Sequence, residues 1–170
     1  KKNKMAATQI DKADYSEMLQ QALTEIRVAR NVVAKQITST TNSVYWNLGK
    51  LLFEKQLEEG YGSGVVKQLS IDLKTEFPDM GLSPRNLWDM KRFYERYYQA
   101  DEKLRRSVAV LPWRHNLLLI NKLKDDNQVE FYANEVITKA WSRDLLLNAI
   151  KMDTYKQVQQ QVKSHNFDQT

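Results

Sequence analysis

The stretch that decides the fold is Glu76-Phe-Pro-Asp-Met-Gly-Leu-Ser-Pro-Arg-Asn-Leu-Trp-Asp-Met-Lys-Arg-Phe-Tyr94, which reads as a helix end, a tight turn and a second helix start. Pro78 has no N–H to donate and crowds the preceding turn, so the helix carrying Phe77 stops, and Gly81 permits the positive φ that a sharp reversal often needs. Ser83 then offers its hydroxyl to the open N–H groups of the next turn. Pro84 takes the first helical position, where a missing N–H costs nothing. The spacing predicts a helix-turn-helix over about residues 64–98.

On a helical wheel the second helix splits into two faces. Leu87, Met90, Phe93, Tyr94, Tyr97 and Tyr98 share the core arc, while Arg85, Trp88, Asp89, Arg92, Glu95 and Arg96 lie opposite. Arginines near the start of such a helix, with Asn86 among them and Lys91 at the boundary, are what a recognition helix presents to a DNA major groove. Asp89 and Glu95 offset part of that charge, so an ordinary solvated face is the competing reading. Trp88 on the polar arc either packs under a neighbouring helix or marks a contact surface.

Upstream, Leu19, Leu23, Ile26, Val33, Ile37, Val44, Leu48 and Leu51 recur at intervals of three, four or seven. They predict one long amphipathic helix, or two nearly collinear ones, from about Tyr15 to Glu59. The polar run Thr38-Ser-Thr-Thr-Asn-Ser43 is its weak point, because these side chains compete for the backbone. A helix of this length usually finds a partner. The near-heptad spacing suggests packing within the chain or a homodimer seam, with Leu19, Leu23, Ile26, Val33, Ile37 and Trp88 as candidate interface residues.

The loop Glu59-Gly-Tyr-Gly-Ser-Gly64 lacks the Gly-Lys-Ser/Thr of a P-loop and reads as a cap and hinge. The next helix, from about Gly64 to Phe77, places Val65, Val66, Leu69, Leu73 and Phe77 on one face. After Tyr98 a charged stretch with Lys103, Arg105 and Arg106 forms a surface loop or short helix that adds phosphate contacts. Pro112 precedes a helix with Trp113, Leu117, Leu118, Ile120 and Leu123, and a further helix carries Val129, Tyr132, Ala133, Val136 and Ile137. Ser142 caps a last helix running toward Val162.

Composition bounds the rest. Five glycines and three prolines in 170 residues, with almost no strand-like alternation, predict an all-α protein. One domain is expected over residues 14–163, with a disordered leader at 1–13 and the start of a linker at 164–170. The absence of cysteine removes disulfides, thiolate metal sites and cysteine nucleophiles, and it fits a reducing cytoplasm. No apolar run approaches the length of a bilayer, and no leader is recognisable, so a cytoplasmic protein without a membrane partner is expected. The net charge of +5 is compatible with a polyanionic partner. His115 and His165, the only histidines, have no second ligand at helical spacing, and the carboxylate pairs Glu58/Glu59 and Asp125/Asp126 sit at helix ends. No active site, cofactor, metal or small-molecule substrate is expected in this chain.

The ordered series Gly60-Tyr-Gly-Ser-Gly-Val-Val, Leu69-Ser-Ile-Asp-Leu, Phe77-Pro, Gly81-Leu-Ser-Pro-Arg-Asn-Leu, Met90-Lys-Arg-Phe-Tyr, Leu111-Pro-Trp-Arg-His-Asn, Phe131-Tyr and Trp141-Ser-Arg resembles the N-terminal domain of YhcG-like proteins. The similarity covers about residues 15–168. These are bacterial proteins whose C-terminal half is similar to a PDDEXK-type nuclease of the restriction-endonuclease superfamily. The resemblance implies a helical, helix-turn-helix or winged-helix-like DNA-binding module. It also implies that the metal-binding carboxylates and catalytic lysine lie in a C-terminal domain absent from this sequence, where a divalent metal such as Mg would bind.

The first expectation is therefore a non-catalytic DNA-binding domain that positions an appended nuclease. Arg85, Asn86, Arg92 and Arg96 would meet the duplex, and Lys91, Lys103, Arg105 and Arg106 would meet phosphates. The alternative is an assembly module that dimerises through the long N-terminal helix. A third reading, stacking of single-stranded nucleic acid on Trp88, Tyr94, Tyr97 and Tyr98, has the phase against it, because the tyrosines lie on the core arc.

Overall fold

The computed structural model describes residues 10–167. They form eight α-helices and no strand: α1 (Lys12–Glu54), α2 (Ser63–Glu76), α3 (Pro84–Tyr97), α4 (Glu102–Ala109), α5 (Trp113–Lys122), α6 (Asp126–Lys139), α7 (Arg143–Lys151) and α8 (Thr154–Phe167). The all-α expectation holds, and the long N-terminal helix is present. The first nine residues of the expected leader lie outside the described residues, as do residues 168–170. Lys12 and Ala13, placed in that leader, belong to α1, and the linker expected from residue 164 is helical as far as Phe167.

The chain divides into two compact units between Ile37 and Thr38. In the first, α1 carries exposed side chains throughout the described residues, apart from a half-buried Leu23. The second unit contains the rest of α1 and all of α2 to α8.

Within the second unit α3 is the central element. Its Leu87, Trp88 and Met90 join Tyr45, Leu52, Val66 and Leu82 in one core cluster. Its Phe93 and Tyr97 enter a second cluster built mainly from α4, α5, α6 and α7, and Trp113 packs against both. Trp88 is 9 % exposed, so the indole assigned to the polar arc lies under neighbouring helices.

The buried positions of α1 here are Asn42, Tyr45, Gly49 and Leu52, a regular stripe that differs from the expected one. Val44 and Leu51 are exposed instead. Gly49 is where α1 crosses α3 backbone to backbone. A Cβ at that position would fall on the carbonyl oxygen of Met90, 2.6 Å from its carbonyl carbon and 3.1 Å from the nitrogen of Lys91. Asn42 continues the helix through the polar run because its amide has better work than breaking it: Nδ2 donates to Ala109 O at 2.8 Å and Leu111 O at 2.7 Å. Asn116 Nδ2 donates to Val108 O at 2.8 Å, so two side chains satisfy carbonyls at the open end of α4.

Two helix ends differ from expectation. α1 stops at Glu54, five residues before Glu59, in a Schellman arrangement. There Gln56 takes φ 55°, Leu57 N donates to Leu52 O and Gln56 N donates to Phe53 O. Of the loop and the short helix expected after Tyr98, the structure has the helix, α4, because the Asp101 side chain caps it through Leu104 N at 2.8 Å. The last predicted helix is two, α7 and α8, separated where Asp153 adopts φ 53°.

Replacing Gly49 by alanine forces α1 and α3 apart, and the expected loss is about 2–3 kcal/mol of unfolding free energy. Urea denaturation of the Gly49→Ala chain measures it; an unchanged midpoint would show that the crossing tolerates a side chain.

Candidate nucleic-acid interface

The turn unit forms as its residues dictate, with two changes. α2 ends at Glu76 before Pro78, and α3 starts at Pro84 with Ser83 Oγ accepting from Asn86 N at 3.2 Å. A buried Ser70 hydroxyl on α2 donates to Leu82 O at 2.6 Å and pins the turn. Gly81 does not take a positive φ; its missing side chain is needed for space, since a Cβ would lie 3.0 Å from Asn86 Nδ2 and 3.2 Å from the Tyr45 hydroxyl. The inner face of α2 is Val66, Leu69, Ser70 and Leu73, whereas Val65 and Phe77 are exposed.

Most of the cations expected to meet DNA have a partner within the chain, on the surface in the case of Arg92, Lys103 and Arg106. The Lys91 side chain is 8 % exposed, and its ammonium lies 2.9 Å from Glu95 and 3.5 Å from Glu58. Arg92 binds Asp89 at 3.0 Å and Asn121 at 2.6 Å. Arg96 binds Asp126 at 2.7 Å and Lys124 O at 3.0 Å, with its guanidinium over the Tyr97 ring. These contacts tie α3 to the α5–α6 connection. Lys103 pairs with Glu130 and Arg106 with Glu102.

Asn86, expected at a base edge, is instead a clasp: its Nδ2 donates to Gly81 O, and its Oδ1 accepts from Trp113 Nε1 at 2.8 Å. That bond holds the first turn of α5 beside the first turn of α3. Arg85 precedes Asn86 and Arg114 follows Trp113. Both are exposed, and neither has an acidic partner among the described residues. Reading the sequence alone missed Arg114, because nothing in its spacing connects it to Arg85; only the tryptophan bridge does.

Arg105 is also without an acidic partner among the described residues and lies 5.1 Å from the Trp46 ring centroid. The two side chains line a groove of about 580 Å³ with Asn42, Ser43, Asn47 and Glu102. The aromatic residues proposed for stacking on single strands are internal: Trp88, Tyr94 and Tyr97 are buried, and Tyr98 stacks on Tyr94 with centroids 5.1 Å apart. Of the candidate interface residues, Leu19, Ile26, Val33 and Ile37 are exposed, Leu23 is half-buried and Trp88 is buried.

His115 is buried, with Nε2 2.8 Å from Trp141 O. Among the described residues no three His, Asp or Glu side chains are grouped to hold a metal ion, and no helix is long and apolar enough to cross a membrane.

Tyr97 is fully buried with no hydrogen-bond partner for its hydroxyl among the described residues. Burial pushes its pKa up to about 12, with the nearby Arg96 opposing and Asp126 adding to the rise. The unfolded chain loses this proton near pH 10 and the folded chain does not, so the stability at stake is whole below pH 10 and falls as pH rises toward 12.

Residues 21–157 match the family model described as the DUF1016 N-terminal domain. No curated protein and no solved structure matches the chain.

Two outcomes are expected of α3 variants. Arg96→Ala loses about 1 kcal/mol in denaturant titrations, because two partly exposed charge-assisted bonds to the α5–α6 connection are lost. Tyr97→Phe is neutral or stabilising at pH 7, and it removes a decline of up to about 1.4 kcal/mol per pH unit above pH 10, measured by thermal unfolding across that range.

Proposed function

The chain belongs to the DUF1016 N-terminal domain family, and from that premise we propose that it is a non-catalytic DNA-binding domain, the part of a larger nuclease that places the catalytic half on DNA. The observation that carries this reading is the pair of exposed guanidiniums, Arg85 and Arg114, without acidic partners among the described residues and set on adjoining helix starts by the Trp113–Asn86 bond. Helix N-termini direct N–H groups and a partial positive charge outward, so a phosphate there meets both the dipole and the arginine. Arg105, held against Trp46, adds a further cation.

In this reading Lys91, Arg92 and Arg96 build the frame and do not touch DNA. The contact is with the backbone more than with base edges, because the side chain best placed for base readout, Asn86, is already committed on both sides. The cleavage chemistry and its metal belong to the appended nuclease, which the resemblance to YhcG-like proteins supports.

Fluorescence anisotropy of a labelled duplex across a salt series tests the proposal. The native chain is expected to bind at low salt, with affinity falling as salt rises. The Arg85→Ala/Arg114→Ala variant should show a log–log slope shallower by about 1.8, the equivalent of two phosphate contacts. Arg92→Ala should leave the slope unchanged. Absence of binding by the folded native chain at low salt would overturn the reading.

A further inference from the structure

The N-terminal part of α1 carries an apolar strip that nothing in its own unit covers. Tyr15 is 54 % exposed, Leu19 40 %, Ile26 58 % and Val33 57 %. With Ala22 and Ala29 they step along the helix by four, three, four, three and four residues. That is a seven-residue repeat, the signature of a helix that supercoils with a partner. From Lys12 to Ile37 the stretch is about 39 Å long at 1.5 Å per residue, and a lone helix of this kind has no packing to sustain it.

The strip alternates in size. Leu19, Ile26 and Val33 occupy one heptad position, and Tyr15, Ala22 and Ala29 occupy the other. Two such strips running in the same direction would stack large on large and alanine on alanine, with crowded layers next to empty ones. Running in opposite directions with the segment centred on itself, Leu19 meets Ala29 and Ile26 meets Ala22, as close packing requires.

Charge selects the same arrangement. Residues 11–25 carry Asp11, Asp14, Glu17 and Glu25 against Lys12 alone, whereas residues 26–37 carry Arg27, Arg30 and Lys35 and no acid. Among the described residues none of these charges has an ion pair within the chain. Antiparallel pairing lays the acidic half of one helix along the basic half of the other and opposes the two helix dipoles. Parallel pairing sets like against like.

We propose that residues 12–37 of α1 bind the same residues of a second copy in antiparallel orientation, with Ile26 packed on Ala22 and Leu19 packed on Ala29 across the two-fold axis. Shape and charge are each satisfied by the helix itself, which is the condition for an isologous contact. The two copies would present two DNA-facing surfaces, but the pairing does not depend on DNA binding.

Sedimentation equilibrium on the full chain reads the assembly directly. The expected mass at micromolar concentration is twice the 20.0 kDa of one chain, and Ile26→Glu/Val33→Glu should sediment as the single chain while keeping its cooperative thermal transition. A native chain that sediments singly, or a variant that still pairs, would overturn the proposal. Orientation is read from cysteine variants of this cysteine-free chain. Leu19→Cys mixed with Ala29→Cys should form the mixed disulfide under mild oxidation. Disulfides only between identical variants would indicate a parallel seam and refute the antiparallel one.

Discussion

The crossing of α1 and α3 at Gly49 is the contact on which the rest of the second unit depends. Two helices that touch through side chains keep their axes 8–10 Å apart; here one residue without a Cβ lets the backbone of one helix rest on the carbonyl of Met90 in the other. That closeness brings Tyr45 onto Trp113 and Trp46 onto Phe93, with ring centroids at 4.8 and 5.7 Å. Trp113 then reaches Asn86, and the starts of α3 and α5 become one surface. A separation larger by one methyl group would propagate through every one of these contacts.

The central helix illustrates a division of labour among charged side chains. An arginine that meets an outside partner has to be available, whereas an arginine that positions a helix has to be engaged. α3 holds both kinds within four turns. Arg85, at its first turn, is available; Lys91, Arg92 and Arg96 are spent on Glu95, Asp89, Asn121 and Asp126. Net charge along a sequence does not distinguish these two states, because the acids that engage Arg96 and Lys103 come from α6, some thirty residues further on.

This sets the limit of what was legible in advance. Pro78, Ser83 and Pro84 act locally, so the turn and the start of α3 followed from their chemistry alone, as did the core residues Leu87, Met90, Phe93 and Tyr97. The buried stripe of α1 did not, because two of its four members are an asparagine and a glycine, which hydrophobic periodicity passes over in favour of Val44 and Leu51. The break between α7 and α8 was hidden for a similar reason: Asp153 enters the left-handed region without the glycine that usually announces it. Asn86 had the residue type and position of a base contact, and only its partners identify it as a clasp.

The asparagine beneath α4 has a consequence for the ageing of the protein. Asn42 is followed by Ser43, a pairing that in a mobile chain invites the backbone nitrogen to attack the side-chain amide and release ammonia. Held in a helix, and with its amide nitrogen shared between two carbonyls, this side chain cannot reach the geometry for that attack. Were the helix to open, the product would be an aspartate: an acceptor with no hydrogen to give, facing two other acceptors in a buried place. The same bonds that close the end of α4 therefore act as a chemical preservative, and the damage they prevent is of a kind that refolding could not undo.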